Sequence, residues 1–397
     1  MEPDLIKFDM FFNATAQVDT RDLTQLALFA GASGSSYADQ TGSSFTFSRS
    51  GVIIDVSGED FVYSGGAPVS GEVTGMVVRS GNATAYSFDR SFEDDTPVIP
   101  VTLFDSDDPL AIASDLFAGN DYVSGSNIAD SLYGFDGDDM LYANSGNDLV
   151  YGEKGNDQLF GGNGDDKLYG GAGDDWLGGD KGDDKLYGGK GFDIASYAGH
   201  LAPVVVNLSK GKVVKAHVGA NQVDKLKGIE GVLGGLGKDK ITGNSSDNKL
   251  GGDAGDDILK GKGGSDVLVG GWGSDTLIGG KGADVFLFDK PPAGSSWADV
   301  DLIKDFGRGA DTLQFDQMAF GELDAGVLSA DHFYAAPGAF AGIGETYLVY
   351  DTKNGILYYD RSGDGSGPVF QVAVLKGAPS LSASDIFVKE YVPDLDV

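Results

Sequence analysis

Nine aspartates stand nine residues apart: Asp121, Asp130, Asp139, Asp148, Asp157, Asp166, Asp175, Asp184 and Asp193. A second series resumes with Asp239, Asp257, Asp266, Asp275 and Asp284, with Asn248 in the second of its six places. Each is the sixth residue of a phrase best preserved as Gly161-Gly162-Asn163-Gly164-Asp165-Asp166-Lys167-Leu168-Tyr169. Glycines at positions one, two and four allow backbone angles with φ above zero, so six residues can turn sharply and aim their carbonyls inward. Carboxylates and carbonyls are hard, numerous and adaptable oxygen ligands, a set that suits Ca²⁺ better than Mg²⁺ or a metal that seeks nitrogen and sulfur.

Such loops need elements to hold them. Two residues after each aspartate stands Val123, Leu132, Leu141, Val150, Leu159, Leu168, Leu177, Leu186 or Ala195, and in the second series Ile241, Leu250, Leu259, Leu268, Leu277 or Phe286. The spacing predicts a three-residue strand after each loop, its middle residue pointing inward. Stacked in parallel, such strands bury an apolar column that no single repeat buries alone. The loops then stack too, and their carboxylates converge, which is repulsive without a cation. A flexible Gly/Asp linker would lack the periodic buried residue.

This phrase resembles the nonapeptide of the RTX proteins, secreted calcium-binding β-rolls. The resemblance implies a mostly β fold: a calcium-loaded parallel β-roll solenoid in two arrays, with multiple Ca²⁺ ions between successive loops. The side-chain ligands would be the fourteen aspartates named above, with glycine-loop carbonyls completing each shell. Nine and six loops would hold roughly seven and four ions. It also implies export through a one-step ABC-type exporter that reads an uncleaved C-terminal segment. Ser382-Ala383-Ser384-Asp385-Ile386-Phe387-Val388 is similar to the family's acid-then-apolar ending, although Lys389 to Val397 follow it.

The whole chain has 397 residues and a formal charge of −33, from 61 acidic and 28 basic residues, which argues against nucleic acid as a partner. Cysteine is absent, so disulfides, thiolate catalysis and Cys-based zinc sites are excluded. The acidic start Met1-Glu2-Pro3-Asp4 is followed by no apolar stretch long enough for a signal peptide or a transmembrane segment.

In chain order, residues 1–108 are expected to form a small β-rich domain. Thr20 caps a short helix through Leu23, Leu26 and Ala27 to Gly31, and strands follow at Ser44–Phe47, Val52–Val56, Phe61–Tyr63, Val73–Val78 and Ala83–Phe88, the last pair turned by Ser80-Gly81-Asn82. Residues 109–196 combine a capping helix, begun by Asp107-Asp108-Pro109, with the first array. Residues 197–233 abandon the period, with two strands at Val204–Leu208 and Val213–Val214 joined through Ser209-Lys210-Gly211 and an end at Gly228-Ile229-Glu230-Gly231. Residues 234–289 carry the second array. Residues 290–397 form a C-terminal cap and secretion-signal region, where Asp301, Asp305 and Asp311 finish the roll or hold another ion. A β-meander over 346–375 turns at Asn354-Gly355. Asp360, Ser362 and Asp364 mimic the start of an EF-hand loop, but Gln371 stands where its twelfth-position glutamate belongs, so a tight turn is expected there.

Catalytic signatures are few. His200, His217 and His332 lie in no His-Glu-x-x-His setting, no Gly-x-Ser-x-Gly elbow occurs, and apolar or amphipathic pore-forming helices are missing. A haem carrier would lack an obvious axial ligand among the first 110 residues. Paired carboxylates of a glycoside-active enzyme are recognised by separation rather than sequence, so that alternative stays open. Between Lys210 and Lys262 ten lysines accompany seven acids, a local excess that fits either a solvated face or an acidic polysaccharide. The expectation is a secreted, non-enzymatic calcium-binding protein that folds outside the cell and acts at the cell surface or in the extracellular matrix, as a polysaccharide-binding adhesin. The alternative is a polysaccharide-modifying enzyme that uses the repeats for export and folding.

Overall fold

The computed structural model describes strands between residues 17 and 89, and then residues 119–390 except 126, 128, 210–213, 219–221, 291–298, 308–309 and 342–343. The helices expected after Thr20 and after Asp108, and the residues after Glu390, lie outside the described residues. The chain divides into two compact units, 1–191 and 192–397.

The first unit begins with an antiparallel sheet ordered Gln17–Val18, Ala67–Ser80, Val52–Ser64, Ser44–Arg49, Ser36–Thr41, with Ala83–Asp89 also paired to Ala67–Ser80. Ser80 opposes Ala83; Gly81 and Asn82, expected to turn this pair, lie outside the described residues. The two strands expected at 52–56 and 61–63 are one, Val52–Ser64, because register shifts near Ser57 and Glu59 absorb the Gly58-Glu59 interruption without breaking the ladder.

Residues 119–191 of this unit coil into a roll. Ser131–Asp136, Leu149–Lys154, Lys167–Ala172 and Lys185–Lys190 lie parallel in one sheet. Tyr122–Ser124, Met140–Tyr142, Gln158–Asn163 and Trp176–Lys181 lie parallel in the other. Partners are eighteen residues apart, as where Val150 stands opposite Leu168, so one full coil is two nonapeptides and alternate repeats serve opposite sheets. The inward residues Val123, Leu132, Leu141, Val150, Leu159, Leu168, Leu177 and Leu186 are buried between the sheets. Outside, Tyr133, Tyr151, Tyr169 and Tyr187 stack with centroids 4.7–4.8 Å apart. Many strands run six residues rather than three, since stacked loops let glycine positions continue the ladder, as where Gly171 pairs with Gly189.

The second unit coils in the same way. Lys240–Thr242, Ile258–Gly263 and Thr276–Lys281 form one parallel run, and Gly231–Leu233, Lys249–Gly251, Val267–Val269 and Val285–Phe288 the other. The aperiodic segment is threaded through this roll. Val204–Asn207 pairs parallel with Lys240–Thr242, and Gly231–Leu233 pairs parallel with Ile194–Ser196. Between them stands a hairpin of Val214–Val218 and Gln222–Lys227. Its second strand carries no clear sequence signal, because Gln222-Val223-Asp224-Lys225-Leu226-Lys227 sets its two apolar residues on opposite faces; Asp224 is buried on the same face as Leu226.

Beyond the nonapeptides, Asp301–Ile303 and Thr312–Asp316 continue the two sheets, and Val369–Leu375 and Ile386–Lys389 extend them by another strand each. The meander of Leu348–Asp351, Ile356–Asp360 and Val369–Leu375 is present, but Asp351 opposes Ile356, so the turn has four residues, 352–355. Asp351 enforces it by accepting from the Lys353 amide and the Asn354 side chain. Among the described residues no helix is long and apolar enough to cross a membrane.

Candidate metal centre in the stacked loops

Of the fourteen aspartates, all but the half-buried Asp130 are buried at the turn of the coil. Along each row a backbone N–H donates to Oδ1 of the position-six residue one coil later: Asp121 to Asp139, Asp139 to Asp157, Asp157 to Asp175, and in the other row Asp130 to Asp148, Asp148 to Asp166 and Asp166 to Asp184, at 2.7–2.9 Å. In the second unit the same bonds join Asp239 to Asp257, Asp257 to Asp275, Asn248 to Asp266 and Asp266 to Asp284. The Asp193 amide donates to Oε2 of Glu230, which thereby fills a position-six place thirty-seven residues on.

With Oδ1 fixed by an amide, Oδ2 is aimed into the loop. In Asp139, Asp148, Asp157, Asp166, Asp257 and Asp266 this oxygen is buried and accepts no hydrogen bond. It lies against the first glycine of its own loop and the carbonyl of the first glycine one coil later. A Cβ added at Gly161 would meet Asp166 Oδ2 and come within 2.9 Å of the Gly179 oxygen, and Gly134 stands in the same relation to Asp139 and Gly152. The space a methyl would fill is therefore lined by a carboxylate and a carbonyl, both negative at oxygen. Among the described residues no three acids or histidines gather about one point, so a bound ion would take most of its ligands from carbonyls.

Burial, opposed only in part by the amide at Oδ1, pushes Asp148 up to about 6, Asp139, Asp157 and Asp266 to about 7, and Asp257 to about 8. Carboxyls so placed demand a proton or a cation. Both the orphaned oxygens and the hard donor set fit calcium, with Asp139, Asp148, Asp157, Asp166, Asp257 and Asp266 and the position-one carbonyls as the residues that would hold it. The charge supplied by the ion would neutralise each row; Oδ1 would keep adjacent coils in register.

Position five is not singled out by the sequence reading. Its side chains make an exposed ladder in the opposite sense: Asn120 accepts from the Asp138 amide, Asp138 from Asn156, Asn147 from Asp165, Asn156 from Asp174, and Asp165 from Asp183. The recurrence of Asn or Asp immediately before the position-six aspartate is its signal. At the roll exit, Asp301 accepts from the Asp275 amide, Asp305 from Gly279, and Asp311 from Asp284 and Gly307, so these acids extend the carboxylate rows past the last nonapeptide. Burial and the facing Asp275 hold Asp301 well above the usual carboxylate range. By contrast, Asp360 accepts from the amide and hydroxyl of Ser362, and Asp364 from the Ser366 amide, the bonding of a tight turn. His332 packs edge-on against Tyr347.

A family model for the RTX calcium-binding nonapeptide repeat matches residues 117–150, 133–168, 142–177, 160–195, 232–259 and 251–286. The chain carries RTX repeats over these residues. Its RTX rolls are calcium-binding modules for multiple ions, and the matched windows cover the loops whose carboxylate oxygens stand without partners. No curated protein matches the chain. Among solved structures it is similar to the extracellular lipase LipA from Serratia marcescens, with 21% identity over 59% of this chain and 40% of that one and a TM-score of 0.25. The chain thus spans less than half of the lipase, at a similarity that says nothing of activity here.

Proposed function

We propose that this protein is secreted, folds on binding calcium outside the cell, and acts without catalysis at the cell surface or in the extracellular matrix as an adhesin for acidic polysaccharide. The observation that carries the calcium-coupled part is the set of buried, unpartnered Asp Oδ2 atoms, which make the roll incomplete without cations. Export through an ABC-type exporter follows from the family resemblance and the Ser382–Val388 ending. Support for an anionic partner comes from the stretch between Lys210 and Lys262, where ten lysines accompany seven acids in an otherwise acidic chain.

The enzymatic alternative draws on a cleft of ≈ 580 Å³ in the second unit, floored by Leu233, Val269 and Leu287 and bordered by Asp253, Asp289 and Asp316. Its volume is that of a small-molecule site, and burial raises the Asp253 carboxyl. Calcium-loaded protein incubated with a panel of bacterial and plant polysaccharides separates the two. Retention of an acidic polymer with unchanged viscosity and reducing ends supports the adhesin; a fall in viscosity or release of new ends replaces it with the enzyme.

A further inference from the structure

Two loops at the start of the second array differ from those that follow and precede them. In the loops of Asp157, Asp166, Asp257 and Asp266, position four is a glycine with φ of 125°, 135°, 130° and 101°, and position two has φ of 80°, 96°, 73° and 82°. In loop 234–239 neither Gly235 nor Gly237 takes a positive φ, and in loop 243–248 neither Asn244 nor Ser246 does. The altered backbone turns the position-two amide onto the position-six side chain. Gly235 N–H donates to Asp239 Oδ2 at 2.7 Å while Val204 N–H donates to Oδ1 at 2.8 Å. Asn244 N–H donates to Asn248 Oδ1 at 2.8 Å, and Asn248 Nδ2 donates to the Glu230 carbonyl at 2.9 Å.

We infer that loops 234–239 and 243–248 are closed by their own amides and hold no calcium, so that the ion rows of the second unit begin only at Asp257 and Asp266. This rests on the calcium reading of the other loops. An N–H aimed at a carboxylate presents the positive end of its dipole where the cation would stand, and the two exclude each other. Asn248 goes further, offering a donor toward the Glu230 carbonyl. At the far end Asp311 Oδ2 is occupied in the same manner by the Gly307 amide, so in that row Asp266 and Asp284 lie between closed ends. The motif therefore overcounts sites: Gly234-Gly235-Leu236-Gly237-Lys238-Asp239 reads as a binding loop in sequence and is satisfied in structure without an ion.

The test is a count of bound calcium by elemental analysis of full-length protein after gel filtration in calcium, normalised to the folded fraction by near-ultraviolet circular dichroism. Asp239→Asn and Asn248→Ala are expected to keep the wild-type ion count, with the midpoint for calcium-induced folding moved by less than about twofold. Asp257→Asn is expected to lose at least one ion and to raise that midpoint several-fold. Loss of an ion in folded Asp239→Asn or Asn248→Ala protein overturns the inference while leaving the calcium reading intact. A wild-type chain that binds no calcium overturns both.

Discussion

Burying a carboxylate oxygen beside a carbonyl is unfavourable unless positive charge lies between them, and this one fact sets the response of the residues to pH. The carboxyls of Asp139, Asp157 and Asp266 rise from 3.8 in the unfolded reference to about 7 in the folded chain, and that of Asp257 to about 8. A raised folded-state value means that protonation favours the folded, calcium-free roll: the contribution is full below 3.8 and is lost as pH climbs through about 7 to 8. In chelator, strand signal by circular dichroism is therefore expected to be greater near pH 4 than near pH 8. Calcium should reverse the trend, because the ion competes with the proton, and its midpoint should fall as pH rises across the same window. A chelated chain equally structured at both ends would contradict the assignment. Asp157→Ala, in the interior of its array, should raise the calcium midpoint more than Asp121→Ala at the array's start; equal effects would count against stacked sites. Glu153, held at φ 80°, is strained where glycine would not be, so Glu153→Gly is expected to stabilise the calcium-loaded protein by about 1 kcal/mol in thermal unfolding.

At the level of strand and loop, the roll depends on close backbone approach and an unbroken apolar column. Gly164 has φ 135°, and a Cβ there would land on the carbonyl oxygen of Gly146 one coil below. Gly164→Ala should abolish cooperative calcium-induced folding of the surrounding coils, whereas alanine at Gly119, an ordinary backbone with nothing within 4 Å, should not. Leu168 is fully buried between coils on both sides, and Leu168→Ala should destabilise the loaded roll by about 2 to 5 kcal/mol, read from denaturant unfolding in saturating calcium. Elements of this kind are legible in the sequence because inward Leu168, outward Tyr169 and the turning glycines recur with one period. The strand Gln222–Lys227 is not, because its inward face pairs Leu226 with Asp224, and its place is set by antiparallel partners in Val214–Val218. The six-residue length of Lys167–Ala172 is hidden for a related reason: its last residues look like turn and become ladder only against Gly189 and Lys190.

For the molecule as a whole, the buried position-six aspartates stand in rows that cannot stack unneutralised, so ion binding and folding of residues from about 116 to 289 should be one transition. Sites of extracellular modules typically need calcium on the order of 10⁻⁴ to 10⁻³ M, far above cytosolic levels. A circular-dichroism titration should show strand signal and compaction rising steeply with calcium, and magnesium should substitute poorly because it demands a rigid octahedral shell. A roll equally folded in excess chelator at neutral pH would end this account. The sequence by itself determined the repeat, the choice of calcium and which residue of each nine faces inward, because φ requirements, ligand hardness and side-chain alternation are properties of a few consecutive residues. Tertiary structure alone decided that Glu230 stands in a position-six place, that position five builds a second ladder, and that Asp239 is satisfied while Asp257 is not. Each of those outcomes turns on an amide or carbonyl eighteen or more residues away, or on the direction in which one loop peptide points, and neither is written in the spacing of nine.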